Sequence, residues 1–253
     1  VTTATRIILI TGTDTGVGKT LVTALLVARG ASSMAYGLGV CKPVETGCEA
    51  GLKSAADACL LSELSGQELS ETICASYCPP LAPLVAARLE NRPIIGRTDL
   101  VDWLKERAST KELLLIEGSG GLLVPIASNW TYADLAEEIG AQVIVVVGSK
   151  LGALNHAGLT FETLVSRRIS CLGYVCNDCF SPRGDVSLET NRSMLIEIGK
   201  RYGLRELSYL PYSEKASGRL SSQVVKQVLQ ENAQEIEKLW INCVSLDLKE
   251  TRK

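Results

Sequence analysis

The sequence predicts an α/β fold built on a single doubly wound, mostly parallel sheet with helices on both faces. Three observations predict it. Short apolar runs rich in Val, Ile and Leu recur at residues 6–10, 113–116, 143–147 and 171–176, as expected of strands covered on both faces. Segments of helical period separate them. Each run ends in a polar or glycine-rich turn, and in such sheets ligands sit beyond the carboxyl ends of the strands. The turns should therefore converge on one site.

The first run ends in Thr11-Gly12-Thr13-Asp14-Thr15-Gly16-Val17-Gly18-Lys19-Thr20, before a helix over 21–28. Strand, glycine-rich turn and Lys-Thr at a helix start are the layout of a nucleoside-triphosphate phosphate cradle. Glycines turn backbone N–H groups inward, the helix N-terminus adds partial positive charge, Lys19 a full one, and Thr20 an oxygen for magnesium. The common loop has four residues between its outer glycines; here residues 13–17 make five.

A second short strand is expected over 37–44, running into Lys42-Pro43-Val44-Glu45-Thr46-Gly47. Helical spacing follows at 55–64 with Asp57 at its start. Residues 74–83 hold three prolines and predict an ordered but irregular connection. Helices are expected at 84–90 and, after Thr98 as N-cap, at 99–108. The strand at 113–116 ends in Glu117-Gly118-Ser119-Gly120-Gly121, where an acid organises magnesium in phosphate-loop enzymes. Thr20, Asp57 and Glu117 would offer magnesium a hard oxygen set. Helices are expected at 132–139 and, after Gly148-Ser149-Lys150-Leu151-Gly152, at 154–167. The strand at 171–176 meets Asn177, whose amide matches a base edge such as adenine. A helix at 188–202, a strand at 207–210 ending at Pro211, and a helical tail at 221–239 complete the chain. The domain reading is one unit over 1–253, with the helical tail from about 218 to 253.

The 253 residues, 46% hydrophobic with a formal charge of −2, give no electrostatic reason to expect nucleic acid or an anionic membrane as partner. No apolar run approaches bilayer length, and the expected location is cytoplasmic. Nine cysteines at irregular spacings read as small apolar core residues, and the lone Cys176-x-x-Cys179 pair is a weak redox or metal signal. His156 is the only histidine and lacks a recognisable nucleophile or metal partner.

The loop at 11–20, the string at 42–47, Glu117-Gly118-Ser119-Gly120-Gly121 and Leu151-Gly152-Ala153-Leu154-Asn155-His156 occur here in one order. Together they closely resemble the dethiobiotin synthetase family, from about residue 6 to 211, and the five-residue loop is that family's form. The resemblance implies a magnesium- and ATP-dependent ligase that closes the ureido ring of dethiobiotin from 7,8-diaminononanoate and carbon dioxide. It implies that Lys19 and Lys42 contact phosphates and the carbamate, with Lys42 helping in the transition state. Thr15 and Thr46 would line the carbamate and phosphate region, with Gly120 and Gly121 close to the reacting centre. Asn177 and Pro211 would border the base. Gly152, Ala153, Leu154 and Asn155 would come from the partner subunit of a homodimer and bind the substrate's carboxylate. Some members carry an acid where this chain has Gly16, and some a hydroxyl in the loop matching 79–83. The rival readings are a partition-type regulatory ATPase, against which Asp14 counts because it replaces that class's signature lysine, and an amide ligase of cobalamin synthesis.

Overall fold

The computed structural model describes residues 5–34, 37–49, 55–179 and 187–244. In chain order its elements are β1 (Arg6–Gly12), α1 (Lys19–Gly30), β2 (Leu38–Cys41), β3 (Val44–Thr46), α2 (Ala56–Ser65), α3 (Leu69–Thr72), β4 (Ala75–Tyr77), α4 (Pro83–Leu89) and α5 (Arg97–Ala108). There follow β5 (Leu113–Gly121), β6 (Pro125–Ala127), β7 (Trp130–Thr131), α6 (Tyr132–Glu138), β8 (Gln142–Gly148), α7 (Ala153–Ser166) and β9 (Cys171–Asn177). The last elements are α8 (Ser187–Arg201), β10 (Glu206–Leu210), a 3-10 turn (Glu214–Ser217), α9 (Ser222–Glu231) and α10 (Ala233–Val244).

Six strands form one sheet in the order β10-β9-β8-β1-β5-β2, and every neighbouring pair is parallel. Alternation along each strand sorts side chains onto the two faces. Leu9, Leu114, Ile116, Val143, Val145 and Val147 join a core with residues of α4 to α8. Ile8, Ile10, Leu113, Leu115, Ile144 and Val146 join the opposite core with α1, α2, α9 and α10. Burial on both faces is why these strands are continuously apolar.

The expected strand over 37–44 is two elements. β2 stops at Cys41 because Pro43 has no N–H for a ladder and the amide of Lys42 donates instead to Thr72 O. Val44 opens β3, which leaves the main sheet and pairs in parallel with β4. The stretch 74–83 is therefore not wholly irregular. The residue that caps α5 is Gly96, not Thr98, which lies inside the helix. Thr131 and Asp134 close a reciprocal capping box on α6, and β6 with β7 forms a small antiparallel pair.

The expected tail helix breaks at Asn232 into α9 and α10. These helices are part of the core: Val225, Val228, Ile236, Leu239, Trp240 and Cys243 are buried in the same cluster as α1. Residues 245–253 of the expected tail lie outside the described residues. No helix among the described residues is long and apolar enough to cross a membrane.

Candidate active site

The carboxyl ends of β1, β2, β5 and β9 open into a cleft of about 840 Å³. Thr15, Gly16, Gly18, Lys19 and Thr20 line it from the loop after β1. Lys42 precedes β3 and Thr46 ends it, Asp57 comes from α2, Glu117 and Gly120 from β5, and Asn177 and Pro211 from the far end. Gly12, Thr13, Asp14, Val17 and Gly121 support this wall without lining it.

The loop conformation depends on its glycines. Gly18 stands at φ 93° as the cap of α1, and a Cβ there would lie 2.1 Å from the Asn177 amide nitrogen. Only glycine combines that dihedral with that approach. A Cβ on Gly12 would meet the Val17 side chain at 2.6 Å. Lys19 folds back on the loop and donates to the Asp14 carbonyl at 2.9 Å. The Asp14 carboxylate accepts from the amide of Thr15 at 2.7 Å and from Lys150 at 2.9 Å, and the latter bond chiefly holds its pKa below the ordinary range.

The chemical centre is a knot of charge on β5, just past the last pair of its ladder with β2, Cys41 beside Ile116. Glu117 is fully buried. Its Oε1 accepts from Thr20 Oγ1 at 2.8 Å and Lys42 Nζ at 2.5 Å, and Lys42 Nζ lies 3.2 Å from Asp57 Oδ2. Burial alone would push Lys42 down, but Glu117 and Asp57 outweigh it and hold the ammonium charged. Burial also pushes the Glu117 carboxyl up, with Lys42 opposing it. Lys19 has a weaker counterweight: burial and then repulsion from Lys42 bring it down to about 8.

The geometry offers a place for a divalent cation. Glu117 Oε2 is buried without a hydrogen-bond partner, a costly state for a carboxylate oxygen. It belongs to the same carboxylate that holds Thr20, and Asp57 faces the same Lys42. Hard oxygens of this kind suit magnesium, which usually takes one or two carboxylates together with phosphates and waters.

Asn177, expected at the base, also has a tie within the fold. Its amide nitrogen donates to Val17 O at 2.9 Å, so the donor half fastens the phosphate loop to β9. Gly152, Ala153, Leu154 and Asn155 open α7 and do not line this chain's cleft. His156 is likewise outside it. Cys176 is buried, and burial raises its thiol to about 12 and that of Cys179 to about 11, which keeps both protonated.

Several lining residues carry no role in the sequence reading, among them Ser119, Asp178, Tyr212 and Arg219. Glu45 is the most consequential. Its carboxylate accepts from the amides of Asp57 at 3.1 Å and Ala58 at 2.9 Å, capping α2 from a distant strand. Burial, then the nearby Asp57, raises it to about 6. Its signal in the sequence is only its place inside the polar string at 42–47.

This fold and this cradle define a phosphate-loop nucleotide-binding protein. Residues 6–218 match a family model described as an AAA domain. The chain is 40% identical to the ATP-dependent dethiobiotin synthetase of Anaeromyxobacter sp. (strain Fw109-5), over 81% of this chain and 91% of that protein. It is 39% identical to the one of Mycobacterium marinum (strain ATCC BAA-535 / M), over 76% of this chain and 83% of that protein. The chain belongs to the ATP-dependent dethiobiotin synthetase family. Among solved structures, a ParA family ATPase from Chlorobium tepidum TLS superposes with a TM-score of 0.55 at 16% identity, covering 94% of this chain and 96% of that one. The septum site-determining protein MinD complexed with Mg-ADP from Pyrococcus horikoshii OT3 gives 0.54 at 17% identity, covering 93% and 94%. At that identity the likeness shows the shared fold alone.

Proposed function

We propose that this chain is an ATP-dependent dethiobiotin synthetase, joining 7,8-diaminononanoate and carbon dioxide into dethiobiotin with release of ADP and phosphate. The observation that carries the reading is the buried joining of Lys42, Thr20 and Glu117 in the cleft, within a family member aligned over most of its length. Lys42 sets a second fixed cation in the cleft beside Lys19, which suits stabilisation of charge on a transferring phosphoryl group.

An amine of the diamine adds to carbon dioxide and gives up a proton to form a carbamate. The carbamate oxygen attacks the γ-phosphorus of ATP, and the bond to the β-phosphate oxygen breaks, leaving ADP and a carbamic–phosphoric anhydride. The second amine attacks the carbamoyl carbon, closes the five-membered ring, loses a proton and expels phosphate. Negative charge gathers on oxygen at each stage, which favours fixed cations over a side-chain nucleophile.

In this scheme the loop at 12–18 and Lys19 hold the phosphates, and Lys42 neutralises charge on the transferring phosphoryl group. Thr15 and Thr46 hydrogen-bond the carbamate region, and Gly120, backed by Gly121, gives it backbone approach. Asn177 and Pro211 border the base. Thr20, Asp57 and Glu117 would hold magnesium, which supplies charge neutralisation on the phosphates when bound.

The reading extends to a homodimer in which residues 152–155 serve the neighbouring subunit. Leu151 is 83% exposed beside that turn, and Leu159 and Val165 are exposed further along α7. A second copy seated here would cover exposed apolar side chains. A cytoplasmic location accompanies the reading.

The test is substrate dependence. ADP should appear only when diaminononanoate, carbon dioxide and magnesium are supplied together, with dethiobiotin detected by mass. ADP release that ignores the diamine would overturn the reading.

A further inference from the structure

We infer that Glu45 is a positioning residue for the divalent cation: by capping α2 it fixes where Asp57 stands, although it is not itself one of the groups assigned to cation or nucleotide. The inference rests on the reading of Asp57 as a magnesium ligand.

The N-terminal end of α2 has no cap of its own. The first amides of a helix need acceptors from outside it. The residue before α2 is Ala55, whose side chain offers none. The two orphan N–H groups at Asp57 and Ala58 are instead taken by the two oxygens of Glu45. A carboxylate accepting both is a charge-assisted cap, stronger than a neutral one, and its charge also suits the positive end of the helix.

The cap is delivered by the segment that carries Lys42. Residues 42–46 place Lys42 against Asp57 Oδ2 at 3.2 Å and Glu45 against the amide of the same Asp57 at 3.1 Å. One short segment therefore holds Asp57 by both backbone and side chain. The Asp57 side chain is 37% exposed, so its surroundings do little else to hold it. Glu45 and Lys42 are both buried, so both ties reach Asp57 from constrained side chains. Groups that orient a metal ligand from behind typically account for roughly 10- to 100-fold in metal affinity.

The experiment measures Mn2+ affinity of the enzyme with saturating ADP, from the free Mn2+ resonance, for the wild type, Glu45→Gln, Glu45→Ala and Asp57→Asn. Thermal midpoints and ADP affinity without metal are recorded alongside. Mn2+ affinity should fall by about tenfold or more in Glu45→Ala, by less in Glu45→Gln, which keeps one acceptor oxygen, while metal-free ADP affinity stays unchanged. A lower midpoint with unchanged Mn2+ affinity in both Glu45 variants would overturn the inference and leave Glu45 a stabilising cap. If Glu45→Ala does not fold, the isosteric Glu45→Gln decides the matter alone. Unchanged affinity in Asp57→Asn would instead refute the role assigned to Asp57. The measurement uses no diamine, so failure of the ligase reading would show separately, as wild-type enzyme that binds Mn2+ and ADP but makes no dethiobiotin.

Discussion

The ammonium of Lys42 and the carboxylate of Glu117 meet at 2.5 Å with both side chains buried, each one residue past the last pair, Cys41 and Ile116, of the parallel ladder between β2 and β5. Strand pairing thus sets the position of the cation assigned to the phosphoryl group. Lys42→Gln keeps a donor beside Glu117 but removes the charge. We expect turnover to fall by about 10²-fold or more, the scale of losing a transition-state donor, while KM for ATP changes little. A matched loss in both would make Lys42 an ordinary nucleotide contact. A melting curve guards against misfolding, because removing one member of a buried pair is destabilising.

Lys19 carries a pH signature. With its pKa lowered to about 8 by burial and Lys42, the free enzyme loses this proton as pH rises through that value. Phosphate favours the protonated lysine, so ATP binding near pH 8 should take up a proton and weaken at higher pH. Calorimetry in buffers of different ionisation enthalpy reads this directly. Equal apparent heats in all buffers would contradict it.

The pair formed by Asp14 and Lys150 ties the phosphate loop to the turn after β8. Both side chains are partly exposed, 40% and 32%, so Lys150→Met should change stability by less than about 1 kcal/mol. Asp14 also receives the amide of Thr15 and holds Lys19 through its carbonyl. KM for ATP should therefore rise several-fold while the thermal midpoint barely moves. A large drop in midpoint would show the bridge to be mainly structural.

Trp240 tests whether the C-terminal helices belong to the core. Its ring closes over Gly30 so tightly that a Cβ on that glycine would lie 2.5 Å from it, and it is 4% exposed. Trp240→Ala should cost about 3–5 kcal/mol, seen as a shifted denaturant midpoint. A dispensable tail would leave that midpoint unchanged.

The main sheet was legible because its strands are buried on both faces and carry uninterrupted apolar runs. β3, β4, β6 and β7 were not, since strands of two or three residues show no period. The phosphate loop, Lys42, Asp57 and Glu117 announce themselves by position after strands or at a helix start. Glu45 does not, because its cap acts across 12 and 13 residues while a local reading looks for a capping side chain at Ala55. Asn177 shows the same limit. Its amide chemistry is visible in the sequence, but its attachment to Val17 O arises only when β9 lies beside the loop. The helical period of the tail was clear, whereas the partner it buries, α1, lies some two hundred positions away and leaves no local trace.

Around Glu117, at the reacting end of the cleft, the facing charges balance. Lys19 and Lys42 are set against Asp57 and Glu117, and the four together form an electroneutral lattice. Such a lattice projects little field beyond itself, so it does not draw polyanions from a distance as a purely basic pocket would. Discrimination is then short-ranged, resting on fit to the loop and on a cation that arrives with its own charge, and nucleotide capture should be correspondingly insensitive to ionic strength.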